Sequence, residues 1–153
     1  MERFKLIPEV CFVFIRDGKI LLGRRANTGY EDGKYCFPAG HGEERETMTE
    51  GCAREALEEV GLKVSPKDLI FLHTQYRWSS GSDGHARVGF YFAPKIDPGE
   101  PKNMEPEKCD DMQFFSLDNL PEMVEPFRAA LDAIQKGLKY SEFGWDIRNT
   151  KTI

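Results

Sequence analysis

The sequence predicts an α/β fold in which a mixed β-sheet is covered by helices on both faces. Three observations carry that expectation. Strand-like runs rich in β-branched and aromatic residues stand both before and after a central helical segment; that segment has a start signal, an apolar stripe and a stop signal; and a second helical pattern follows the last strand. At 153 residues the chain is expected to form one domain over 1–153, with enough apolar residues for one sizeable core.

Glu9 to Arg16 reads as a strand, and Asp17-Gly18 is a tight hairpin signal into KILLGRR. The loop from Ala26 to Lys34 is rich in Asn, Gly and Asp. Arg24 and Arg25 stand just before it, where two guanidiniums can hold phosphate oxygens in bidentate geometry. Tyr35 to Phe37 is a short strand halted by Pro38, which has no ladder donor. Thr47 with Glu50 makes a capping box, and Gly61 supplies a left-handed stop after Val60, so about 3.5 turns of helix lie between. Met48, Cys52, Ala53, Ala56, Leu57 and Val60 form its apolar stripe.

Beyond that helix, Ser65-Pro66 breaks the chain before Leu69 to Trp78, a long strand containing His73, which reads as a packed residue. Ser79 to His85 is a polar turn and Arg87 to Lys95 a returning strand. Asp97 to Asp110 is a surface loop rich in proline and charge. Met112 to Leu117 forms the last strand, and Pro121 is expected to open a helix on which Phe127, Ala130, Leu131, Ile134 and Leu138 share a face. The tail from Lys139 to Ile153 is expected to be of uncertain order.

A net charge of −5, with no basic stripe, argues against long nucleic acid as a partner. No apolar run approaches the ~20 residues that span a bilayer, and Met1 to Pro8 lacks the core of a signal segment. The cytoplasm is the expected compartment, with a monomer or homodimer as the unit. Cys11, Cys36, Cys52 and Cys109 are scattered, and Cys11 and Cys52 read as core thiols.

Glu55, Glu58 and Glu59 are neighbours on the central helix, where like charges repel unless a cation neutralises them. A solvated acidic face is one reading; a site for a hard divalent ion, Mg2+ or Mn2+, is the other. Gly40, Glu46, Arg54, Glu55, Ala56, Glu58, Glu59, Gly61 and Leu62 together match G-x5-E-x7-R-E-U-x-E-E-x-G-U, where U is bulky and apolar. This stretch resembles the signature box of the Nudix hydrolases. Ala56 is smaller than the usual residue at its position, and Arg45 stands where many members carry glycine, with Gly42 a candidate for the loop's flexible position instead.

The resemblance implies a Nudix-type α/β/α sandwich with a mixed β-sheet and a Mg2+-dependent, MutT-like hydrolysis of a diphosphate linkage in a small nucleotide. It implies Glu55, Glu58 and Glu59 with the Gly40 carbonyl as metal ligands, and Arg54 as the residue that orients the carboxylates. A loop before the last strand supplies a distal acid in many members, which points to Glu107 first and Asp110 second. Arg24, Arg25, Phe37 and Trp78 are candidate substrate contacts, the last two as stacking rings beside Tyr35, Tyr76 and Phe90. GEPKNMEPEKCDDMQFF resembles a segment of members acting on nucleoside triphosphates, so a (d)NTP or modified (d)NTP is the expected substrate. The alternatives are ADP-ribose, another nucleotide sugar, or nucleotide sensing without turnover.

Overall fold

The computed structural model describes residues 1–78 and 85–146. Nine strands and two helices follow one another as β1 (Ile7–Phe12), β2 (Ile15–Arg16), β3 (Lys19–Arg25), β4 (Tyr35–Cys36), β5 (Ala39–His41), α1 (Met48–Val60), β6 (Leu69–Trp78), β7 (Ala86–Pro94), β8 (Cys109–Ser116), α2 (Glu125–Gln135) and β9 (Tyr140–Phe143). A mixed sheet runs in the order β5-β1-β7-β6-β9, with β1 parallel to β7 and β9 parallel to β6. A second, antiparallel sheet is centred on β3, which carries β8 along one edge and β2 and β4 along the other.

Alternation along β1 separates two cores. Cys11 and Val13 point to the side packed by Phe127, Ala130 and Leu131 of α2. Val10 and Phe12 point to the side packed by Cys52, Ala56 and Val60 of α1. The two helices therefore cover opposite faces, as the mixed-sheet expectation requires. Cys11 and Cys52 are fully buried, and burial pushes the Cys52 thiol up to about 12.

Several elements depart from the sequence reading. Glu9 to Arg16 is one apolar run, yet it serves two sheets: the Val13 amide bonds to Phe92 of β7, whereas the Phe14 carbonyl accepts from Leu21 of β3. The hairpin turn itself stands where expected, with Asp17 and Gly18 both at positive φ (52° and 73°). Helix α2 starts at Glu125 rather than Pro121, because the intervening backbone is taken by β4: Tyr35 donates to Glu122 and Val124 donates back to Tyr35. Pro126 occupies its first turn instead. Leu138 lies beyond the helix end and is half exposed. The tail supplies a fifth strand to the mixed sheet as β9. The expected polar turn, at residues 79–84, and Ile147 of the tail fall outside the described residues. Among the described residues no helix is long and apolar enough to cross a membrane.

Candidate active site

Helix α1 begins with the expected capping box: Thr47 Oγ1 accepts from the Glu50 amide and Glu50 accepts from the Thr47 amide. A cap of this kind stabilises a helix by about 1 kcal/mol. Gly61, at φ 66°, closes the other end. Between them the buried face differs from the expected stripe. Cys52, Ala56 and Val60 are buried, but Leu57 is 53 % exposed while Glu55 is only 9 % exposed. Positions 52, 55, 56, 59 and 60 make one continuous i, i+3, i+4 face, so two of the three glutamates lie along the packed side and not opposite it.

Arg54 gathers the acids. Its Nε and Nη2 donate to the two oxygens of Glu46 at 2.9 Å each, its Nη1 reaches Glu55 at 2.7 Å and Glu58 at 3.2 Å, and its Nη2 also donates to the His41 carbonyl at 3.0 Å. The Glu46 pair is the main reason that the guanidinium holds its proton more tightly than usual, and Arg54 in turn holds Glu46 below the ordinary carboxylate range. One cation shared by three carboxylates within 3.2 Å exceeds an isolated surface pair.

Glu59 stands apart from that network. It accepts from the Ala39 amide at 3.1 Å, and its carboxyl is pushed well above the usual range, chiefly by burial and next by the charge of Glu55. Gly40 leaves the room this pair needs: a Cβ there would run into the Glu55 carboxylate. Two crowded, partly buried carboxylates beside Gly40 form an oxygen-only donor set, which fits a hard divalent ion in kind. Among the described residues no three acidic, histidine or cysteine side chains yet converge on one point. Glu58 is the exposed member of the three, reached by Arg54 at 3.2 Å.

The acids line a cleft of about 750 Å3 between the two sheets. Arg24 and Arg25 both reach it, although neighbours on a strand ordinarily face opposite ways. A register shift between them in the β3–β8 pairing accounts for this. Arg24 donates to Asp110 at 2.7 Å, while Arg25 ties down the following loop through the Tyr30 carbonyl at 2.8 Å and the Thr28 hydroxyl at 3.1 Å. Lys108, Arg77 and Arg87 complete the positive lining, and Arg87 donates to Nε2 of His41, also in the cleft wall, at 2.9 Å.

Five expectations need correction. Phe37, just past the end of β4, is a core side chain, 2 % exposed and edge-on to Tyr91 and Phe127 in the α2-side core. Trp78 does not line the cleft; it packs beside Trp145, and strand alternation sets it opposite Arg77. Tyr35 packs edge-on against Phe115 and Tyr76 against Trp145, while Phe90 packs against the α1-side core. The half-exposed ring that does line the cleft is Tyr30. Glu107 is exposed and only its carbonyl is engaged, by Asn27. Glu105, two residues earlier, lines the cleft and adds to the upward push on Glu59. Finally, Arg45 itself takes the left-handed conformation (φ 66°), and Gly42 does not substitute for it.

Known proteins resemble the chain in sequence and in fold. The NUDIX domain family matches residues 5–133. An ADP-ribose pyrophosphatase of Methanocaldococcus jannaschii is 34 % identical over 125 residues, which span 79 % of this chain and 69 % of that protein. The phosphatase NudJ of Escherichia coli (strain K12) is 26 % identical over 93 % of this chain and 95 % of its own. A crystal structure of a MutT NUDIX hydrolase from Burkholderia pseudomallei superposes with a TM-score of 0.75 at 26 % identity, covering 84 % of this chain and 97 % of that one. The chain belongs to the Nudix family and is a hydrolase acting on phosphoric anhydride bonds.

Proposed function

We propose that the protein is a Mg2+-dependent pyrophosphohydrolase that converts a (d)NTP, or a modified (d)NTP, to the monophosphate and pyrophosphate. The observation that carries this reading is the charge of the cleft. Arg24, Arg25, Arg87 and Lys108, from three separate segments, line the same volume as the acid cluster. A triphosphate needs more positive partners than a diphosphate bridge does, and a phosphorus ringed by anionic oxygens resists attack until they are neutralised.

Glu55, Glu58 and Glu59 with the Gly40 carbonyl would hold the divalent ions. When bound, such ions neutralise phosphate oxygens and lower the pKa of a water. Arg54 is a positioning residue, fixing Glu46, Glu55 and Glu58 relative to the loop at His41. Arg24 and Arg25 orient the phosphate chain at the mouth. Glu105, which lines the cleft on the loop before β8, is the proposed acceptor of the attacking water's proton.

This assignment separates two neighbouring acids. Glu105→Gln is expected to lower kcat by about a hundredfold, the scale of a lost general base. Glu107→Gln is expected to leave kcat within about twofold, in line with an exposed surface change. Steady-state rates of the two variants check this, and the opposite ranking would move the distal acid to Glu107.

The 34 % identical relative favours a second reading, in which the substrate is ADP-ribose or another nucleotide sugar. Mass analysis of products from a nucleotide panel decides between them. The expected result is monophosphate plus pyrophosphate from a triphosphate. AMP plus ribose 5-phosphate, with triphosphates untouched, would overturn it.

A further inference from the structure

The mixed sheet contributes to the cleft a buried ion pair that the acid cluster does not use. Glu9 on β1 and Arg77 on β6 meet across β7, at a level where Gly89 pairs with Glu9 on one side and Gln75 on the other. Arg77 Nη2 lies 2.8 Å and 3.0 Å from the two Glu9 oxygens. Arg77 and Glu9 are 7 % and 8 % exposed. Arg77 Nε and Nη1 are buried with no hydrogen-bond partner among the described residues. The ring of Phe127, in the first turn of α2, lies 5.2 Å from the guanidinium carbon. Glu9, Arg77 and Phe127 all line the cleft.

Buried donors without acceptors are uncommon and costly, more so on a charged group. The charge balance tells what would satisfy these two. Glu9 already neutralises Arg77, so a phosphate placed here would meet a surplus of negative charge. A neutral acceptor meets none. Position supports the same choice. Glu9 shares the face of Cys11 and Val13 beneath α2, whereas the acids rise from α1 on the opposite face. The scissile phosphates belong with the acids, and the remainder of the substrate belongs here.

We infer that Arg77 is a specificity-determining residue whose Nε–H and Nη1–H donate to neutral acceptors on the substrate's nucleobase, a carbonyl oxygen or ring nitrogen, with Glu9 holding the guanidinium in place. The inference rests on the nucleotide reading above and names the part of the nucleotide that this wall reads. A site built to hydrogen-bond a substrate group discriminates strongly, because the wrong ligand leaves its buried donors unpaired.

Arg77→Lys keeps a cation opposite Glu9 but lacks the two guanidinium donors. The test is calorimetric binding of four nucleoside monophosphates and of ribose 5-phosphate to both proteins. The preferred monophosphate is expected to bind about tenfold or more weakly to the variant. Ribose 5-phosphate should bind both equally, and the difference among bases should shrink. In turnover, KM should rise while kcat changes far less. Equal weakening of ribose 5-phosphate, or undiminished base preference, would overturn the proposal. Should the variant fail to fold, Glu9→Gln with Arg77→Gln removes both charges together; retained base preference there would equally defeat it. Binding requires no turnover. If no triphosphate is hydrolysed yet Arg77→Lys still loses only base-bearing ligands, the substrate reading falls and this one stands.

Discussion

Glu59→Gln should cost about a thousandfold in kcat and yet make the metal-free protein more stable at pH 8. The first effect follows from removing one oxygen donor of the proposed ion site, since charge stabilisation by a bound metal is worth several kcal/mol and ~1.4 kcal/mol is tenfold in rate. The second follows from the raised pKa of Glu59, caused first by burial and then by Glu55. In the unfolded chain this carboxyl ionises near the ordinary glutamate value of ~4.3. In the folded protein it prefers to stay neutral, so the folded form is favoured most below that value and loses stability as pH rises through the raised pKa. Glutamine is neutral throughout and escapes that loss. Melting in EDTA should therefore place the variant above the wild type at pH 8 and level with it near pH 4. Saturating Mg2+ should raise the wild-type Tm at pH 8 and the variant's much less. A variant that melts below the wild type by the same margin at both pH values, with activity lost in proportion, would leave Glu59 a packing residue.

Gly40→Ala carries the second large effect. Gly40 does not lie at positive φ, so backbone strain plays no part in its cost. The added methyl falls on the Glu55 carboxylate, which is held by Arg54 at 2.7 Å and nearly buried. Displacing that carboxylate by even 1 Å is expected to lower kcat by about a hundredfold. Overpacking should cost about 1–3 kcal/mol of stability. Gly42→Ala is the control two residues away, where the new methyl meets the end of the Met48 side chain and can push it aside. Its activity should stay within about threefold, because no charged group has to move. Similar rates for both variants would show that the Gly40 gap is not needed by Glu55.

The parts of this site written in local sequence were readable, and those set by distant pairing were not. Thr47, Glu50 and Gly61 act within one helix, so the limits of α1 follow from neighbouring residues. The cluster Glu55, Glu58 and Glu59 was visible for the same reason. The orientation of the cluster was not, since an apolar stripe containing Ala53 and Leu57 is as regular on paper as one containing Glu55 and Glu59. The signal that could have found it is the 52, 55, 56, 59, 60 spacing itself, which puts two carboxylates at core positions. Trp78 was misplaced because a period of two says that a strand has two faces but not which one meets the cleft, and Phe37 because its short strand stops at Cys36, one residue before it. Glu105 and Glu107 both sit among prolines and charges with no period, and Asn27 on a distant loop engages only the carbonyl of Glu107. Arg45 takes a left-handed backbone without being glycine, which no local pattern announced.

The pairing of residues 140–143 with β6 has a consequence for the chain's behaviour in company. Thr74 to Arg77 would otherwise present bare amides and carbonyls at the rim of the mixed sheet, in the strand that carries Arg77. Such a rim is a template for any other extended chain. A segment of four residues thus acts as a selvedge, leaving a rim of four residues where part of the ten-residue β6 would otherwise lie open.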